Sequence, residues 1–163
     1  MADFLEGLFA PWARWYGDST LLATLVGFVH LAGVLWGGGR AVVADAVLLR
    51  ARDPERFARE GQLAFLVTSH RDVLIGLGLV VVSGLLLFGA DVRHYFETPL
   101  YWLKMAAVVL LLLNGWGVRR TESLLAPGNE SAARAWRRAR LHASASLGLW
   151  FVVVLLGQGL VNL

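Results

Sequence analysis

The segment Leu21–Arg40, LLATLVGFVHLAGVLWGGGR, constrains this chain more than any other stretch. It is an apolar run of helical character with one histidine, His30, near its middle and glycines on both sides. At a helical rise of 1.5 Å per residue, about 20 apolar residues cross the hydrocarbon core of a bilayer. An ionisable residue inside such a run is costly to place in lipid, so it marks a functional site by default. A neutral imidazole is also a common ligand for iron and other metals.

Further apolar runs follow, and the expected spans are Leu21–Gly38, Asp72–Ala90, Leu100–Val118 and Leu141–Val161. With 57% hydrophobic residues and a mean hydropathy of +0.60, the chain is too apolar for a soluble domain of its size. The first run does not read as a secretory signal, because a polar and aromatic lead precedes it and no small-residue cleavage site follows. That lead, residues 1–18, mixes Phe, Trp and Tyr with charges, as an interfacial segment lying against the membrane does.

The basic residues orient the spans. The connections Arg40–Arg71 and Arg119–Arg140 hold twelve of the fifteen Lys and Arg, leaving Arg14, Arg93 and Lys104 elsewhere. The positive-inside rule then puts both connections in the cytoplasm and both termini outside it, in what reads as a bacterial inner (plasma) membrane protein. The sequence pI of 9.9 follows from this topology and is no sign of nucleic-acid binding. The absence of Cys excludes disulfides, thiolate-held iron–sulfur clusters and covalent c-type haem attachment.

Local signals place the helix ends. Gly17-Asp18-Ser19-Thr20 supplies N-cap residues before the first run, and Asp53-Pro54 and Thr98-Pro99 each read as a cap followed by proline at the first helical position. The second helix is expected from Pro54 to about Gly89, Asp91–Thr98 as an outer loop with a solvated His94, a turn at Pro127-Gly128-Asn129, and the fourth helix from about Glu130 to Val161. Helices longer than a membrane needs, joined by short turns, predict one all-α domain over residues 1–163. Its architecture is an antiparallel up-down four-helix bundle whose helices extend into the cytoplasm.

Counting upward from turn centres near Arg52 and Pro127 puts His30 at about 22 residues and Lys104 at about 23, which is one shared level. His70 at about 18 and His142 at about 15 differ by roughly 4–5 Å along the axis. Two tiers follow, His30 with Lys104 and His70 with His142, although helix tilt could instead bring His30 and His70 together. Gly27, Gly33 and Gly37 lie on or beside the His30 face. They serve either close helix packing or room for a flat macrocycle between helices.

The motif His30-Leu-Ala-Gly33-Val-Leu-Trp36-Gly-Gly-Gly-Arg40 resembles the first helix of the membrane-bound, haem-associated protoporphyrinogen oxidase family and of the related copper-resistance D-like domains. Tyr101-Trp102-Leu103-Lys104 with its following Leu/Val run is similar to the oxidase helix that carries a functional Lys. The resemblance covers about Leu21 to Arg120. Helix four lacks the oxidases' Asn-Glu-x-Pro-like segment. His70 and His142 instead resemble the paired ligands of small four-helix diheme cytochromes b.

What this resemblance implies is haem b. His30 is the foremost candidate iron ligand, with His70, His142 or neither as the second; Arg71 is a propionate partner unless Asp72 neutralises it, and Trp36 a ring that could stack on the macrocycle. Lys104 is the candidate catalytic residue, relaying a proton or meeting a propionate; otherwise it snorkels to the interface beside Tyr101 and Trp102. Asn114 reads as an interhelical hydrogen-bonding group. The expected function is electron transfer or a haem-linked redox reaction, compatible with a membrane oxidoreductase, with the lipid bilayer, a quinone, a respiratory complex or a second copy of the chain as partners. A copper-handling protein is the alternative, though soft Cu(I) sites favour Cys and Met and the chain has only Met1 and Met105. A structural or assembly subunit is the third reading.

Overall fold

The computed structural model describes residues 1–122 and 132–162, and among these every regular element is a helix. The expected turn at Pro127-Gly128-Asn129 lies outside the described residues. An N-terminal helix α1 (Ala2–Asp18) leads into α2 (Thr20–Arg50), at whose start Ser19 Oγ accepts from the Leu22 amide at 3.2 Å. Asp53 Oδ1 accepts from the Glu55 amide at 2.9 Å, and Pro54 opens the short helix α3 (Pro54–Arg59). Then come α4 (Gln62–Ala90), α5 (Val92–Glu97), α6 (Pro99–Glu122) and α7 (Ala132–Val161). Four of these, α2, α4, α6 and α7, are long and apolar enough to cross a membrane.

Three local expectations change. The second helix is not continuous from Pro54: it breaks at Gly61, whose φ of +73° is left-handed and ends α3 as a C-terminal glycine does. Asp91–Thr98 is not an open loop. Asp91 Oδ1 accepts from the His94 amide at 3.1 Å and thereby caps the short helix α5. Finally, α2 widens to a π-helix over Val34–Gly38, where successive glycines leave the backbone free of side-chain crowding.

Glycines in and beside that widened stretch pack closely on the neighbouring helices. A Cβ on Gly33 would lie 2.9 Å from the Gly76 carbonyl oxygen, and one on Gly38 would lie 3.0 Å from the Trp150 ring of α7. So α2 meets α4 backbone to backbone and α7 backbone to ring, the small-residue contact that membrane helices use in place of hydrophobic burial. Of the two roles left open for Gly33 and Gly37, helix packing is the one seen: Gly76 fills the space that a macrocycle would need.

Further along, His30 meets Ser83, Gly33 meets Gly76 and Leu79, and Arg40 meets Asp72. Helix α7 packs against the C-terminal half of α2 on one side and α6 on the other, whereas α4 and α6 meet chiefly at one end, where the Phe88 and Tyr101 rings stack at 5.4 Å. Near the short α3, Leu48, Phe57, Leu66, Ala135, Ala139 and Ala143 form a buried cluster. There the Arg140 guanidinium donates to the Ala51 carbonyl at 2.8 Å, closing the end of α2. At the other end α1 lies across α4: the Trp12 indole donates to Leu86 O at 2.8 Å, and Arg93 holds Asp3 and Glu6 at 2.8 and 2.9 Å.

Candidate ligand cleft between the helices

Away from the Phe88–Tyr101 contact, α4 and α6 pack on other partners, and a cleft of about 250 Å³ remains between them. On α4 its wall repeats at helical spacing through Leu66, Ser69 with His70, Val73 and Leu77; on α6 it runs from Leu111 through Gly115 to Arg119. The floor is laid by Ala41, Asp45 and Leu48 of α2 and by Ser146 and Trp150 of α7. A shallower depression continues outward from it, sharing His70, Leu74 and Arg119 and adding Arg71. Its walls are mostly apolar, with Arg71 and Arg119 at one end and Asp45, Ser69 and Ser146 as polar groups within it.

His70 Nδ1 donates to the Leu66 carbonyl at 3.0 Å, which fixes the orientation of its ring. Fixing one ring nitrogen on a carbonyl is how metal-binding histidines are commonly oriented. Asp45 is 8% exposed and, with Ser69 and Ser146, gives the cleft a polar floor. The Ser69 hydroxyl donates to Phe65 O at 2.7 Å.

The other candidate residues stand elsewhere. Ser83 spends its hydroxyl proton on the Leu79 carbonyl, so it accepts from His30 Nδ1 at 3.0 Å. Gly84 lies against the same imidazole. Lys104 is within electrostatic reach of His30, and its ammonium sits against Gly157 of α7. This tier draws on all four long helices. It is not the cleft: Ser83 is thirteen residues from His70 on one helix, a separation of about 20 Å. His30 and His70 therefore do not face a common group, and tilt does not bring them together.

His142 is turned away from the cleft. Its Nδ1 donates to Asn114 Oδ1 at 2.8 Å, and Asn114 Nδ2 donates back to the His142 carbonyl at 2.9 Å. The ring presses on Gly117, where a Cβ would come within 2.6 Å of it. So the Asn114 amide acts between helices, as expected, and its partner is the histidine. Trp36 is 57% exposed and faces outward. Asp72 does not neutralise Arg71; its carboxylate pairs with Arg40 Nε across the helix interface at 2.9 Å. The Arg40 guanidinium also sits 5.0 Å from the centre of the Phe65 ring. Sequence reasoning missed Arg119, which it counted only as a positive-inside charge, and Asp45, which it did not single out.

Among the described residues no three His, Cys, Asp or Glu come together as metal-holding groups. A bare copper ion asks for several converging protein donors, whereas iron in a macrocycle asks the chain for one or two. His70 is one such donor in the cleft lining, beside two arginines and mostly apolar walls. No family model, curated protein or solved structure matches this chain.

Proposed function

We propose that this chain is an antiparallel up-down four-helix integral membrane protein that holds haem b between α4 and α6, in electron transfer or a haem-linked redox reaction. One observation carries the reading: a histidine and two arginines, His70, Arg71 and Arg119, line one end of a cleft with mostly apolar walls within the spanning helices. Haem b is an apolar ring with two acid groups and a central iron, and each part has a counterpart here. His70 Nε2 is the iron ligand. Arg71 and Arg119 pair with the propionates through charge-assisted hydrogen bonds. Leu74, Leu77, Leu111 and Leu112 exclude water from the ring.

Bound haem would supply one-electron chemistry, and the chain's share is ligation, burial and charge. Opposed sequence order in the α2–α4 contacts supports the antiparallel arrangement. The Arg-rich connections support a cytoplasmic location for the basic end of the cleft, in a bacterial plasma membrane with a quinone or a larger redox complex as electron partner. Lys104 and His30 lie too far along the helices to touch the occupant of this cleft. His142 takes a structural part, as a clamp between α6 and α7.

The test is haemin titration into the detergent-solubilised apoprotein, followed at the Soret band. Saturation near one haemin per chain, lost in His70→Ala and weakened about tenfold or more in Arg71→Gln or Arg119→Gln, is the expected result, since each charge-assisted pair is worth about 1.5–3 kcal/mol. Unchanged affinity in all three variants would remove the cleft as the site.

A further inference from the structure

Away from the Phe88–Tyr101 contact, the cleft has no wall between α4 and α6, and this decides how anything gets in. Its rim is built from Leu74, Ile75, Leu112 and Trp116, each about half exposed and each on a helix apolar enough to lie in lipid. Away from the rim, the floor is sealed. Trp150 of α7 seats its ring on Gly38 of α2, and the buried cluster around Leu48 and Ala139 closes the end near α3. The shallower depression with Val67, Arg71 and Ile75 opens on the same flank.

Charge is laid out along this opening as on an amphiphile. Arg71 and Arg119 stand at one end, beside the connections that carry most of the basic residues, and the far end past Leu77 and Leu111 is apolar. At the rim, the Trp116 ring has the Arg120 guanidinium 3.7 Å from its centre, which gives it a cationic neighbour at the same level. A molecule with an apolar body and acid groups at one edge would match both halves while still dissolved in the bilayer. It need never cross the protein surface through water.

Resting on the haem reading above, we infer that the cleft exchanges its occupant sideways with the membrane: haem enters and leaves through the gap between α4 and α6, with its acid edge at the level of Arg71 and Arg119. The protein is thereby an acceptor for membrane-dissolved haem, and its loading depends on the lipid phase.

The chain contains no Cys, so a single introduced thiol reports its own surroundings. Leu77→Cys places one in the cleft wall and Leu112→Cys one at the rim. Leu85→Cys, on an exposed part of α4, and Glu60→Cys, outside the spans, serve as lipid and water controls. Each variant in lipid nanodiscs is treated with lipid-dissolved pyrene maleimide or with the charged, water-borne MTSET. The expected result is that pyrene maleimide modifies Leu77→Cys and Leu112→Cys at least tenfold faster than MTSET does, relative to the two controls, and that prior haemin slows both. Equal modification by MTSET would mean a water route and overturn the proposal. No modification of either, with Leu85→Cys labelled normally, would mean a closed cleft and overturn it too. If only lipid-borne reagent reaches the cleft, but phosphatidylglycerol nanodiscs protect it and haemin does not, the sideways route stands and the haem reading falls.

Discussion

Gly76→Ala and Gly78→Ala, two residues apart on α4, should change stability in opposite directions. A Cβ at position 76 would lie 2.5 Å from Gly37 Cα and 2.7 Å from the Gly33 carbonyl oxygen. Both neighbours are backbone, so no side chain can turn aside. Restoring ordinary carbon contacts of about 3.5 Å means opening the α2–α4 interface by roughly 1 Å. Overpacking of that kind costs about 1–3 kcal/mol. Parting the helices also strains the His30–Ser83 hydrogen bond, worth about 0.5–1.5 kcal/mol. A Cβ at position 78 meets nothing within 4 Å, and replacing a mid-helix glycine gains about 0.5–1 kcal/mol. Unfolding in mixed micelles titrated with SDS, followed by far-ultraviolet circular dichroism, reads both. The two variants should differ by about 2–5 kcal/mol. Equal effects to within about 0.5 kcal/mol would refute the close contact between α2 and α4.

Asn114→Leu strips the His142 ring of its acceptor and should cost about 1–3 kcal/mol in the same assay while leaving haemin titration unchanged; loss of haemin binding would put His142 at the cofactor. Ser83→Ala removes the acceptor of His30 and should destabilise the chain by a similar amount of about 1–3 kcal/mol without lowering haem stoichiometry. Burial pushes the Tyr95 phenol up, helped by the nearby Tyr16, Asp91 and Tyr101. Since the folded state then holds its proton to higher pH than the unfolded state, this contribution is complete below the ordinary tyrosine value of about 10 and is lost as pH rises through the folded value. Comparing the pH dependence of unfolding in the wild type and Tyr95→Phe between about pH 9 and 11 tests this; identical slopes would contradict it.

The spans could be read from the sequence because crossing a membrane is a matter of run length and apolarity, both one-dimensional. Ser19 and Asp53-Pro54 were equally legible, since a cap acts on amides two or three residues away. Gly61 was not: the residues on both sides of it favour helix, and only the left-handed φ of one glycine separates α3 from α4. The glycines around His30 had two meanings that differ only in what stands opposite, and Gly76, forty residues on, decides between them. His142 was hidden in the same way, because its partner Asn114 belongs to another helix. The cleft was the least legible part. It arises where two helices that meet at Phe88 and Tyr101 draw apart further along, and no local pattern encodes that separation. Arg119 was visible only as a charge near a helix end, and its place beside His70 is a tertiary fact.

The most direct measurement is the pyridine haemochrome content of the purified protein and of its three histidine variants, with oxidised and dithionite-reduced spectra of each. The account predicts one haem b per chain in the wild type and in His30→Ala and His142→Ala, and none in a folded His70→Ala. A colourless wild-type protein that stays colourless with added haemin, or a His70→Ala variant that keeps its full haem content, would contradict it.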